Sequence, residues 1–162
     1  MLPVRRILCP TDFSNAAGAA VDAAVELSAH FNAELILLHV VPPVPAPMPG
    51  PVGQVQLIVP TLEVEKYRKE LEAHYKENLS SLADRFSEKV ACRSVVTTGL
   101  AADEITRLAH EEDADLIVIA THGRTGWRHM VFGSVAERVV RTASHPVLVV
   151  QSPHSEEPEG TS

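Results

Sequence analysis

A chain of 162 residues, 45% hydrophobic and 22% charged, suits one compact domain with a substantial core rather than two domains or a disordered polymer. A domain of this size removes about two thirds of its unfolded surface from water, so it needs neither a disulfide nor a structural metal to be stable. The formal net charge of −7 gives the long-range field the wrong sign for a surface that grips nucleic acid or anionic membrane, and neither is expected as a partner.

Cys9 and Cys92 stand far apart, with no CxxC pair and no Cys/His cluster at zinc-ligand spacing, so a protein-held metal is not expected. The opening Met-Leu-Pro-Val-Arg-Arg lacks the apolar stretch and small-residue cleavage site of a secretory signal, and a cytoplasmic protein is expected. No apolar run approaches the roughly 18 residues of a membrane span, so no membrane insertion is expected.

Strand-length apolar runs alternate with helix-length amphipathic stretches, the pattern of repeated βα units around a parallel sheet. The expected fold is α/β, a single domain with an open, twisted, parallel five-stranded sheet and helices on both faces. Residues 4–10 read as the first strand. Ser14 then stands where an N-cap belongs for a helix over 15–31, with Ala17, Ala20, Val21, Ala24, Leu27 and Phe31 at helical spacing. The run AELILLHVV over 33–41 is nearly all apolar after its start and reads as a central strand covered on both faces.

Residues 42–60 hold seven of the twelve prolines and read as a long irregular loop inserted in a domain of residues 1–152. A helix over 61–87 follows, with Leu62, Tyr67, Leu71, Tyr75, Leu79, Leu82 and Phe86 along one stripe that reads as core. The third strand is expected over 90–97, a helix over 101–112 and the fourth strand over 114–120. A short helix over 134–143 and a fifth strand over 147–151 complete the pattern. Residues 153–162 read as a disordered acidic tail. Cys9 and Cys92 both fall in strands and read as inert core thiols.

In an open α/β sheet, ligands bind beyond the carboxyl ends of the strands where the strand order reverses. The loops after strands one and four are therefore the first places to search. After strand one comes Pro10-Thr11-Asp12-Phe13-Ser14, whose aspartate suits a ribose hydroxyl and equally suits capping of the first helix, a role open to Ser14 as well. After strand four comes Ala120-Thr121-His122-Gly123, then nine residues, then Gly133-Ser134 at a helix start. Glycine permits close backbone approach, and a helix start presents unpaired N–H groups carrying roughly half a positive charge, which together make a phosphate cradle. Gly123 and Gly126 are also compatible with an ordinary surface loop. The position of both loops beside the expected switch point favours the ligand reading.

The run ATHG, nine residues, GS, then VAERVVRTASHPVLVV closely resembles the C-terminal signature of the universal stress protein family, and PTDFS resembles that family's first loop. The resemblance covers nearly the whole chain apart from the proline-rich loop and the tail. It implies an adenine nucleotide site: Pro10, Thr11 and Asp12 on the sugar side, Val40 offering backbone groups to adenine, and Ile119 and Ala120 beneath the nucleotide. By the same resemblance Gly123, Gly133, Ser134 and Val135 hold the phosphates. Arg124 reads as a further phosphate contact and His122 as a hydrogen-bonding residue that shapes the loop, while Arg128 and His129 are left without a role. One position departs from the family pattern. Ala120 replaces its first glycine, which matters if that position needs positive φ and is mild if it needs only small size.

The function implied is a stress-response regulator or sensor that binds ATP, or AMP or ADP, with magnesium held through the phosphates. A Walker A motif and the SGGxDS loop of ATP pyrophosphatases are both absent, and no general base is evident. Hydrolysis is therefore expected to be at most slow or partner-dependent. The competing readings are a slow ATPase using Asp12 and His122, and a dimeric interaction module that binds no nucleotide; flavin binding is disfavoured by an aromatic content of 4%. Family members pair through the last strand, and the apolar segment 147–151 implies a homodimer here.

Overall fold

The structure, a computed structural model, describes residues 3–43, 61–121 and 133–151, the side chains of 61–63 excepted. Strands β1 (Arg6–Pro10), β2 (Glu34–Val41), β3 (Cys92–Thr98), β4 (Leu116–Ala120) and β5 (Val147–Val150) form one parallel sheet in the order β3-β2-β1-β4-β5. Helices α1 (Asn15–Phe31), α2 (Thr61–Asp84), α3 (Ala101–Glu111) and α4 (Ser134–Thr142) connect or flank them. The acidic tail and residues 44–60 of the proline-rich segment lie outside the described residues.

Alternation along each strand sends successive side chains to opposite faces, and the core divides accordingly. On one face Ile7, Cys9, Leu35, Leu37 and Val118 meet the small residues Ala20, Val21 and Ala24 of α1, and Leu79 and Ala83 of α2. On the other, Leu8, Ile36, Leu38, Ile117 and Ile119 meet Ala102, Ile105, Leu108 and Ala109 of α3, and Ala136 and Val139 of α4. The three central strands are thus covered on both sides, which is why their sequences are continuously apolar instead of alternating. α1 ends at Asn32, whose left-handed φ of 53° is a conformation asparagine tolerates.

The amino ends of the strands are tied by ions. The Asp115 carboxylate accepts the backbone N–H groups of Arg5 (2.7 Å) and Arg6 (3.0 Å), joining the start of β1 to the turn before β4. Arg93 of β3 donates to Glu34 of β2 at 2.8 Å and also to Glu112.

Two expectations are corrected. Tyr67 is not core: it is 57% exposed, while Leu79, farther along α2, is fully buried. Thr98, the last residue of β3, donates to Glu72, so α2 leaves the end of the sheet near that residue. Tyr67 lies more than a helical turn beyond it, where the sheet offers no surface to cover it. Cys92 is only partly buried because β3 is an edge strand. Burial nonetheless pushes its thiol up to about 11, with Asp84 and Glu34 adding to the shift. The fully buried Cys9 is pushed up further, again chiefly by burial, so neither is a thiolate at neutral pH.

Candidate functional site

The order β3-β2-β1-β4-β5 places the reversal of strand order between β1 and β4. From β1 the chain goes outward to β2 and β3 on one side, then returns to β4 and β5 on the other. The connections leaving β1 and β4 therefore diverge to opposite faces and leave a crevice at their carboxyl ends. A cavity of about 320 Å³ occupies this crevice, a size within the ordinary range for small-molecule sites.

One wall is the β1–α1 connection. Thr11 extends the sheet by one bond, its N–H donating to the Leu38 carbonyl at 2.8 Å. The chain then turns sharply. The Thr11 hydroxyl accepts from the Phe13 N–H (3.1 Å) and the Asp12 Oδ1 accepts from the Ser14 N–H (3.0 Å), side-chain turns of the kind threonine and aspartate favour. Ser14 is the N-cap of α1, its hydroxyl accepting from the Ala17 N–H at 3.2 Å. This resolves the capping question: Ser14 caps the helix, and Asp12 shapes the loop while lining the cavity. Phe13 holds a φ of 62°, a left-handed conformation uncommon for a bulky residue.

Apolar walls come from Leu38 and Val40 of β2, Ile119 of β4 and Ile105 of α3. Bonding direction along β2 alternates: Leu35 donates toward β3 and Val41 accepts from Gly99 beyond it, while Leu38 accepts from Thr11. Val40, in step with Leu38, therefore directs its N–H and C=O toward the β1 side, where β1 has already ended at Pro10. The main-chain groups of Val40 face the crevice.

A further wall is the start of α4. Gly133 donates its N–H to the Thr121 carbonyl at 2.5 Å, which brings the two ends of segment 122–132 together. Gly133, Ser134, Val135 and Ala136 line the cavity, and α4 begins with no side-chain cap bond. The φ of Gly133 is −68°, an ordinary value open to any residue. Ala120 lies within β4, paired with Val150, and is not among the described residues with positive φ.

Of the residues singled out in the sequence, Pro10, Thr11, Asp12, Val40, Ile119, Ala120, Gly133, Ser134 and Val135 all line this one cavity. His122, Gly123 and Arg124 lie outside the described residues. Leu38, His39, Ala101, Ile105 and Thr121 also line it and were not anticipated. Strand alternation could have flagged Leu38, but the approach of α3 is a tertiary fact with no local signal. Chemically the cavity offers an apolar slot for a flat ring, a carboxylate for hydroxyl donors and a helix start for an anion. Among the described residues no group of three or more His, Cys, Asp or Glu side chains could hold a metal ion, and no helix is long and apolar enough to cross a membrane.

Comparison with known proteins adds the following. Residues 3–151 match the model of the universal stress protein family. A universal stress protein of Methanocaldococcus jannaschii, MJ0531, is 33% identical over 152 residues, covering 94% of this chain and 85% of the relative. The solved structure of protein MJ0577, from the same organism, superposes with a TM-score of 0.68 at 26% identity, covering 95% of this chain and all of that one. A universal stress protein solved in complex with cAMP superposes with a TM-score of 0.65 at 24% identity, covering 93% and 98% of the two chains. The chain belongs to the universal stress protein family.

Proposed function

We propose that this member of the universal stress protein family binds an adenine nucleotide in the switch-point cavity and acts as a cytoplasmic stress-response regulator. The observation that carries the reading is the convergence of Asp12, the main chain of Val40 and the start of α4 on one cavity. A structural neighbour with the same fold was solved with cAMP, an adenine nucleotide.

In this reading Asp12 accepts from ribose hydroxyls, with Pro10 and Thr11 beside it. Adenine lies in the slot between Val40 and Ile119, exchanging hydrogen bonds with the Val40 main chain. Ala120 lies beneath the nucleotide. The phosphates rest at Gly133, Ser134 and Val135, where helix-start N–H groups and the positive end of the α4 dipole favour anions. His122, Gly123 and Arg124 complete the phosphate side.

ATP is the nucleotide proposed, with AMP and ADP as the nearest alternatives. Magnesium comes with the triphosphate, held by phosphate oxygens and water, since the described residues supply no carboxylate cluster for it. Binding without rapid turnover is the expected behaviour, because Asp12 and His39, the titratable described residues that line the cavity, are engaged in hydrogen bonds that shape the β1–α1 loop. The exposed, apolar edge strand β5 pairs with a second copy of the chain, which would cover Leu148, 39% exposed in the single chain.

A thermal-shift panel of ATP, ADP, AMP and cAMP, with and without magnesium and with GTP as control, tests the reading. Stabilisation by adenine nucleotides and not by GTP is expected, since a ligand that binds only the folded state raises its stability by mass action. No shift with any nucleotide favours the interaction-module reading. Steady-state ATP turnover abolished by Asp12→Asn or His122→Ala would instead make the protein an enzyme.

A further inference from the structure

His39 is a buried ionisable residue, 5% exposed, in a strand that is otherwise apolar after Glu34, and the function above gives it no task. Its Nδ1 stands 2.8 Å from the Thr11 carbonyl oxygen. A carbonyl can only accept, so Nδ1 carries the proton and donates. This bond falls where the sheet would otherwise continue. Leu38 pairs with Pro10, and its carbonyl accepts from Thr11; in that register the next donor of β2 on the same side, the Val40 N–H, would go to the Thr11 carbonyl. The imidazole takes that carbonyl, and no backbone bond from Val40 to Thr11 forms. One side-chain bond thus ends the β1–β2 ladder at the cavity, fixes the peptide that precedes Asp12, and leaves the Val40 N–H directed into the crevice.

The ring is itself clamped. Tyr75 of α2 lies 4.1 Å from it and Phe13 5.0 Å, centroid to centroid, and Phe13 stacks on Tyr75 at 6.0 Å. Both rings pack against Phe13, whose φ of 62° is a left-handed conformation uncommon for a bulky residue.

We propose that His39 is a positioning residue for nucleotide binding, its Nδ1–H bond to the Thr11 carbonyl setting both the Asp12 loop and the adenine-facing main chain of Val40, with Tyr75 holding the ring. The inference rests on the nucleotide reading of the cavity. Three variants separate the hydrogen bond from packing. His39→Leu keeps apolar volume and loses the donor; His39→Asn places an amide N–H near the former Nδ1; His39→Gln is polar but places its amide one atom farther out.

Calorimetric titration with magnesium and ATP is run on all four proteins, alongside amide hydrogen exchange in the absence of nucleotide. His39→Leu should lose about tenfold or more in affinity, and His39→Asn should recover to within about threefold of the wild type. In His39→Leu the Phe13 and Ser14 amides should exchange faster while those of the α1 interior stay unchanged. If His39→Leu does not fold, His39→Gln takes its place, with the same expectation relative to His39→Asn. Wild-type binding matched within twofold by the donor-less variant overturns the inference alone, as does a loss that asparagine fails to recover. If the folded wild type binds no nucleotide, the reading of the cavity falls and the binding role of His39 with it; unchanged exchange at Phe13 and Ser14 would then also remove its loop-setting role.

Discussion

Restoring the family's glycine at position 120 separates a conformational need from a spatial one. Ala120 is the last residue of β4, paired with Val150, at an ordinary backbone angle, and its methyl packs partly against the core on the α1 face. Ala120→Gly therefore relieves no strain. It frees the unfolded chain by about 0.5–1 kcal/mol of backbone entropy. It also removes a partly buried methyl, a fraction of the roughly 0.8 kcal/mol of a fully buried CH₂. The sum is about 1 kcal/mol of lost stability, which lowers the midpoint of thermal unfolding by about 2–4 °C in a domain of this size. Nucleotide affinity should stay within about twofold, because a strand residue at this angle already presents a small side chain to the cavity. The assay is a thermal melt of the free protein paired with calorimetric titration. A gain of tenfold or more in affinity would show that the methyl obstructs the ligand, and unchanged or increased stability would show that the position is strained; either refutes the reasoning.

Other parts of the molecule are open to similar tests. Asp115→Ala removes the shared acceptor of the Arg5 and Arg6 N–H groups and should cost about 1–3 kcal/mol, read by denaturant unfolding, with nucleotide affinity unchanged because the tie lies at the opposite end of the sheet. Glu104 is held below the usual carboxylate range mainly by its hydrogen bond from Arg107, with burial opposing and the Thr97 hydroxyl assisting. A depressed folded value means that the stabilisation is complete above the unfolded pKa of about 4.3 and is lost as pH falls through the lower folded value. Glu104→Gln should thus be less stable than wild type at pH 7, and the difference should shrink below about pH 4; a gap that stays constant down to pH 3 would contradict the assignment. Leu148→Lys should convert a dimer to single chains in sedimentation, and a wild type already sedimenting as one chain would remove the pairing proposal.

The alternation of buried and exposed positions made the elements legible, because a strand covered on both faces must be continuously apolar and a helix on a sheet must carry a stripe. That logic places β2 and α1 to within a residue of their ends. It fails at Tyr67, whose spacing belongs to the stripe but whose position lies past the end of the sheet, a length no local pattern encodes. At the site, the loops after β1 and β4 stood out because ligands bind beyond the carboxyl ends of strands in an open sheet, and the family resemblance singled out Asp12 and Gly133 within them. Asp12 and Ser14 could not be told apart as caps, since both residue types suit that position and only the loop's bonds distinguish them. His39 was hidden for a different reason. Within an apolar run it reads as one more strand residue, and its bond to Thr11 joins positions 28 apart in the chain. Phe13 likewise gives no hint of a left-handed backbone, and the rings packed against it, His39 and Tyr75, come from distant parts of the chain.

The central claim is that the start of α4 holds the phosphates of an adenine nucleotide, and calorimetric titration of nucleotide-stripped protein with magnesium and ATP, beside Gly133→Val, tests it most directly. Because Gly133 holds a φ of −68°, valine should leave the fold intact while its side chain fills the space at the helix start. One site per chain in the wild type, lost in a variant that still melts cooperatively, is the predicted result. No heat of binding in the folded wild type, or a Gly133→Val protein that binds as tightly, would contradict it.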